Sequence, residues 1–476
     1  MSGIVSVILA LGTVPLFVVM VVSAVLLSVA LGQDEVPFGS IVISINSLAK
    51  MQLLEALPLF AFGGYLLAYS GAPNRLVRLS NAVLGGLPGG LAIVAIVGCT
   101  FLTALTGASG VTIVALGGLL LPAMLKHGYP ENFSLGTITA GGSLGVLFAP
   151  SLPIILYGVV SGVSTDDLFK AGLIPGLLII ATLSVYAAVR GIQCKVPRQP
   201  FSWRELGGAL WEAKWEIPLP IFLIIGIYRG VFVVSEAAVI AAAYIFIVEV
   251  IIQRDIKWGR IGAIARESMV LIGGILIILG TTLAVNNAII DAEIPKEMFA
   301  RIKPYMESKI TFLICLNVFL LIVGCMIDIY AAVVLIVPLI LPIAAHYGIH
   351  PVHLGIIFLT NLGIGYATPP VGMNLFIATV RFNKPILKLY WACIPFILLL
   401  LVMLAVITYC PALSTWVLDD SSVQAPLPED DFDKLLEIED LGDLDEPLNK
   451  DEVDDSEYLE YFDALLDLDE LDKKPQ

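Results

Sequence analysis

The chain has 476 residues, of which 58% are hydrophobic and 14% charged, and its mean hydropathy is +0.93. That composition excludes an ordinary soluble domain and points to a protein solvated by lipid. The net charge of −15 divides unevenly: residues 419–476 hold 23 acidic and 4 basic side chains, which leaves the remaining chain mildly basic at +4.

Apolar runs over 4–30, 217–250, 310–326 and 394–409 are long enough to cross hydrocarbon. Each reads as helix, because unpaired backbone groups cannot face lipid. The first run is long and lacks a basic start, which reads as a retained helix rather than a cleaved signal. In chain order, an apolar stretch at 4–31 leads to a more polar helical stretch at 40–56 and an apolar one at 57–71. Two apolar arms follow, 88–106 and 111–126, around a small-residue turn. A segment broken at Pro150 and a closing helix at 170–190 complete a first half, 1–195. A polar link at 196–220 comes next, with Lys195 at its edge and Arg198, Arg204 and Lys214 within it, the pattern of a cytoplasmic loop. The second half, 221–415, repeats the order: 224–251, 260–276, 277–291, arms at 310–326 and 331–346, a break at Pro370 and a helix at 389–410. The tail, 416–476, alternates acids with Leu, Ile, Phe and Tyr. It reads either as a disordered solvating segment or as short amphipathic helices that fold on a basic partner.

The halves are related residue by residue. Pro122, Gly128, Gly145, Pro150 and Pro175 recur 220 positions later as Pro342, Gly348, Gly365, Pro370 and Pro395. Matched helix breakers in two apolar units point to a secondary transporter with its site at the breaks. The predicted fold is an all-α polytopic membrane protein of two inverted repeats, each with a re-entrant hairpin (near 88–126 and 310–346) and a broken helix. Two ordinary spanning helices with a tight loop remain the alternative for each hairpin. Placing Arg75, Arg78, Lys126, Arg381, Lys384 and Lys388 inside makes the first hairpin enter from the cytoplasm and the second from outside.

Helix breaks suit small cations and carboxylates. A broken helix shows carbonyls at one end, which can coordinate Na⁺, and N–H groups at the other, which attract an anion. Thr106, Ser109 and Thr368 add neutral hydroxyl ligands without burying a permanent charge. Asp328 reads as an ion-site contributor or as the cap of the arm that follows it; Glu236 reads mainly as a helix-start cap. The six cysteines, Cys99, Cys194, Cys315, Cys325, Cys393 and Cys410, lack metal spacing, and most read as small core residues. His346 and His350 have no third ligand nearby, so a metal site there is not expected.

At these motifs the chain resembles the large membrane subunit of the tripartite ATP-independent periplasmic (TRAP) transporters. The resemblance runs over 1–415. It is carried by Leu57-Pro58-Leu59-Phe60 with Gly63-Gly64, Leu87-Pro88-Gly89-Gly90-Leu91, Thr106-Gly107-Ala108-Ser109-Gly110, Ala171-Gly172-Leu173-Ile174-Pro175-Gly176, Val337-Pro338 with Leu341-Pro342, and Thr368-Pro369-Pro370-Val371-Gly372-Met373-Asn374. It implies a permease of the bacterial inner membrane that imports an organic acid, such as a dicarboxylate, by sodium symport and an elevator motion. A periplasmic binding protein and a small membrane subunit, expected as a separate chain, complete it. Sodium is the coupling ion; no other cofactor, metal, nucleic-acid partner or enzymatic activity is implied. By motif, one sodium site falls on Thr106, Gly107, Ser109, Gly110, Ala149 and Pro150, and the other on Gly324, Asp328, Ala367, Thr368, Gly372 and Met373. Substrate would meet Ser109, Ser151 and Asn374. The chain departs from the family at Ala149-Pro150, where two prolines are usual, and at Val233-Val234-Ser235-Glu236, where Thr-Pro precedes Thr-Glu. A stand-alone carboxylate or citrate-type carrier and a non-transporting membrane scaffold are the competing readings. A membrane enzyme would need a convergent acid–base or metal cluster, which the sequence lacks.

Overall fold

The computed structural model describes residues 16–30, 52–197, 201–229, 231–291 and 308–418. The acidic tail, the first half of the 4–30 run and most of the polar stretch at 40–56 lie outside the described residues. The described residues are helical, without strands. They form α1 (Leu16–Ala30), α2 (Ala56–Tyr69), α3 (Ala72–Leu84), α4 (Gly90–Thr106), α5 (Ser109–Lys126), α6 (Glu131–Gly141), α7 (Leu152–Ser161), α8 (Thr165–Gln193) and α9 (Trp203–Glu212). Then follow α10 (Pro218–Tyr228), α11 (Val234–Phe246), α12 (Trp258–Asp291), α13 (Lys309–Met326), α14 (Ile329–His346), α15 (Pro351–Gly365), α16 (Met373–Phe382), α17 (Ile386–Tyr409) and the short α18 (Ala412–Thr415). Among the described residues, 7 helices are long and apolar enough to cross a membrane, or 8 if α6 and α7, bent by 43° at their break, form one span.

The 220-residue spacing reappears in the helix ends. α4 and α13 stop at Thr106 and Met326, α5 and α14 start at Ser109 and Ile329, and α6 and α15 start at Glu131 and Pro351. Each pair of breaks carries a cis peptide, Ala149-Pro150 and Pro369-Pro370. Gly145 and Gly365 are matched tight contacts. A Cβ on Gly145 would lie 2.3 Å from the Thr100 carbonyl oxygen, and one on Gly365 would lie 2.5 Å from the Gly324 carbonyl carbon. Both sites therefore need glycine so that the broken helix can press against its hairpin.

Three elements differ from the sequence reading. The stretches 260–276 and 277–291 form one continuous helix, α12. No proline lies between them, so the change in polarity at 277 does not end the helix. The run 217–250 is broken instead, into α10, which ends at Tyr228, and α11, which starts at Val234. Glu236 marks that restart: its carboxylate accepts from the Val233 N–H at 3.2 Å, the back half of a capping box. The polar link also contains a helix, α9, whose Arg204-Glu205 face is exposed.

α9 docks on α3 through Arg78, which bonds Glu205 at 2.8 Å and also pairs with Glu212. The hydrogen bond from Arg78 holds the Glu205 carboxyl below its ordinary range. A depressed carboxylate contributes attraction above its unfolded pKa and loses it as pH falls through the folded value. The groups are exposed and screened by salt. Protection of the 203–212 amides, taken relative to their intrinsic exchange rates, is therefore expected to fall at acid pH and at high salt in the wild type, and to be low and insensitive to both in Arg78→Ala.

All six cysteines are free. His350 accepts from the Val352 N–H at 3.2 Å and caps α15. Among the described residues no group of three potential ligands could hold a metal ion.

Candidate functional site between the hairpin tips

The site grows from two interrupted helices. The arm α4 ends where Gly107 turns left-handed, at φ +66°. Ala108 is extended, and α5 begins at Ser109 without a side-chain cap. The second tip is built differently. Ile327 is extended, and Asp328 caps α14 by accepting from the Tyr330 N–H at 3.1 Å. The other Asp328 oxygen accepts from the Tyr366 hydroxyl at 2.6 Å, and that hydroxyl accepts from the Ile329 N–H at 2.6 Å. The carboxylate thus has a donor on each oxygen, the Tyr330 N–H and the Tyr366 hydroxyl, for a charge that would otherwise be costly at this depth.

The tips are tied to each other and to the breaks. The Tyr330 hydroxyl donates to the Gly107 carbonyl at 2.5 Å, which joins the second tip to the first. Ser109 donates to Asn374 Oδ1 at 2.7 Å, and Asn374 Nδ2 donates to the Thr139 carbonyl at 3.2 Å. The Gly372 N–H donates to the Cys325 carbonyl at 3.0 Å, which ties the second break to the end of α13.

Between the tips lies a cavity of about 550 Å³, a volume suited to a small organic molecule. Gly107, Ser109, Gly110, Asp328 and Met373 line it. The other predicted site residues stand behind its wall. Thr106, Ser151 and Asn374 are fully buried, Ala367 sits under the second break, and Gly324 packs on Leu362 and Gly365. Ala149, Pro150, Thr368 and Gly372 belong to the breaks and are also outside the lining. Two hydroxyls remain open to a further ligand. Ser151 Oγ is buried without a hydrogen-bond partner, and Thr106 Oγ1 has only long contacts to Ala108, at 3.3 and 3.4 Å.

Residues that sequence reasoning did not single out complete the cavity: Tyr65 and Tyr69 from α2, Glu267 from α12, and Tyr330 and Tyr366. Tyr330 and Tyr366 adjoin the quoted motifs and could have been found there. Glu267 had a signal too, as an ionisable residue inside a long apolar helix, but the stretch at 260–276 did not read as a crossing. The α2 wall approaches closely: a Cβ on Gly64 would lie 2.5 Å from Thr106 Cα.

Residues 3–413 match the family described as the tripartite ATP-independent periplasmic transporter, DctM component. The chain belongs to this family. It is thus a TRAP large permease subunit, a multi-pass protein of the inner membrane. It is 35% identical over 364 residues to the isethionate TRAP transporter permease protein DctMQ of Oleidesulfovibrio alaskensis, covering 76% of this chain and 57% of that protein. It is 33% identical over 376 residues to the C4-dicarboxylate TRAP transporter large permease protein DctM of Pseudomonas aeruginosa, covering 79% and 88%. The ectoine TRAP transporter large permease protein TeaC of Halomonas elongata is 32% identical over 370 residues, covering 77% and 86%. The fold resembles that of the Alcanivorax borkumensis YdaH transporter, with a TM-score of 0.52 at 15% identity over 80% of this chain and 89% of that one.

Proposed function

We propose that the chain imports a carboxylate-bearing organic molecule by sodium symport, as the permease of a binding-protein-dependent system with a small membrane subunit. The observation that carries this reading is the cavity bounded by both hairpin tips, with the uncapped start of α5 opening into it. A helix start of this kind favours a carboxylate. Sodium would sit at the tips and breaks, held by neutral oxygens. The buried, unpartnered Ser151 Oγ and the loosely held Thr106 hydroxyl suit that role. Thr368 Oγ1 donates to the Ile364 carbonyl at 2.8 Å, which leaves its lone pairs for an ion.

Ser143 Oγ donates to the Gly363 carbonyl at 2.7 Å, and these positions are 220 apart. Equivalent positions of two copies touch next to the axis relating the copies, so an axis between the two breaks supports the inverted-repeat reading. Tyr65, Tyr69 and Glu267 then form the fixed wall of an elevator, and the hairpins and broken helices form the moving body.

Sodium binding is tested by thermal unfolding in NaCl against KCl at equal ionic strength. A ion that binds the folded state raises Tm by mass action; 100-fold saturation stabilises by about 2.7 kcal/mol. The expected result is a sodium-specific rise that shrinks in Thr106→Val and in Thr368→Val. Equal Tm in both salts across millimolar concentrations would sink the sodium assignment.

A further inference from the structure

The cavity lining has two chemically different parts. Ser109, Gly110 and Val111 form the first turn of α5 and line one part, and no side chain caps that helix. Their N–H groups are the unpaired donors of a helix start, aligned with the positive end of its dipole. The part of the lining that α12 contributes carries Glu267, whose two carboxylate oxygens each lie 2.9 Å from the Tyr69 hydroxyl. That contact fixes the carboxylate on the cavity wall. Asp328, the other acid lining the cavity, is engaged as the cap of α14 and as the acceptor of Tyr366. Among the described residues lining the cavity there is no lysine, arginine or histidine. Val114, Ala115, Leu271 and Ile377 add apolar surface to the lining.

We infer that this site is built for a zwitterion, with its carboxylate at the start of α5 and its cationic nitrogen at Glu267. The inference rests on the transport reading above and names its substrate class. A dicarboxylate held at the same helix start would bring its second charge towards Glu267, where like charges repel. Sodium at the tips and breaks would offset charge on the hairpin side, and Glu267 stands on α12. A cationic nitrogen meets Glu267 directly, and methyl or methylene groups meet the apolar lining. Tyr69 serves as a positioning residue, since its hydroxyl holds the Glu267 carboxylate on the cavity wall.

The test uses this chain with its small membrane subunit in nanodiscs in NaCl. Binding is read by thermal shift with ectoine and glycine betaine as zwitterionic probes and succinate as the dianion. The wild type is expected to bind at least one zwitterion tenfold or more tightly than succinate. Glu267→Gln should erase that preference while the NaCl-over-KCl stabilisation persists, and Glu267→Lys should turn the preference towards succinate. Tyr69→Phe should weaken the preference without reversing it. Succinate binding as tight as the zwitterions, binding of neither zwitterion, or a preference that survives in Glu267→Gln overturns the inference. The salt comparison separates the two readings. Sodium-specific stabilisation with a failed probe test removes the zwitterion alone, and its absence in the wild type removes both.

Discussion

Replacing Arg75 by Met is expected to destabilise the protein by about 3–5 kcal/mol, the usual cost of stripping a partner from buried charges. Arg75 Nε lies 2.5 Å from Glu216, Nη2 lies 2.9 Å from Glu249, and Nη1 lies 2.6 Å from Asp255. The Glu216 and Glu249 side chains are 2% and 1% exposed. Each already has one oxygen without a hydrogen-bond partner, so removing the guanidinium leaves two buried carboxylates without their counter-charge. One planar group with five donors joins α3 to the segment before α10, to the turn that extends α11, and to the loop before α12. Lysine, a point charge with three donors, cannot hold three carboxylates in that fork, so Arg75→Lys should recover little. The measurement is thermal unfolding in detergent. Adding Glu216→Gln and Glu249→Gln to Arg75→Met should restore most of the loss, because it removes the uncompensated charges and leaves the shape. A wild-type Tm in Arg75→Met alone would show that the cluster does not lock the scaffold.

The parts legible in sequence were those made by backbone chemistry. Pro150, Pro370, Gly145 and Gly365 each break or pinch a helix by their own nature, so their spacing gave the interruptions and the arms on either side. Asp328 was readable as a cap because an acidic residue before an apolar run satisfies the helix start. Elements that depend on distant packing were not readable. The run 217–250 is apolar on both sides of its break, so its only sequence sign was the Glu236 cap of α11 and not a change in hydropathy. The single span of α12 is masked by Arg260, Arg266 and Glu267, which lower local hydropathy without ending the helix. The far wall of the cavity is the clearest loss. Glu267 meets Tyr69 across 198 positions, a separation that no local pattern encodes.

Gly107→Ala is expected to reduce uptake tenfold or more, because the first tip excludes a side chain in two independent ways. Its φ of +66° is left-handed, which costs a non-glycine residue about 1–2 kcal/mol. A Cβ there would also stand 2.5 Å from Leu152 Cγ, and overpacking of this kind costs about 1–3 kcal/mol. Leu152 is fully buried at the start of α7, so the strain would pass to the backbone of the tip. The Gly107 carbonyl accepts the Tyr330 hydroxyl; displacing it would part the two tips and open the site between them. The double variant Gly107→Ala with Leu152→Ala separates the two causes. It should regain the steric share and keep the backbone share, leaving uptake between the single variant and the wild type. Gly128→Ala provides the comparison, since Gly128 is also left-handed, at φ +87°, but a Cβ there meets nothing within 4 Å. It should lose stability by the backbone cost alone and transport normally, as it lies on the loop after α5, outside the cavity lining. Uptake is measured in proteoliposomes at matched protein content. Wild-type uptake by Gly107→Ala would mean that the shape of this tip does not set the site, and equal losses in Gly107→Ala and Gly128→Ala would mean that backbone strain away from the tip suffices.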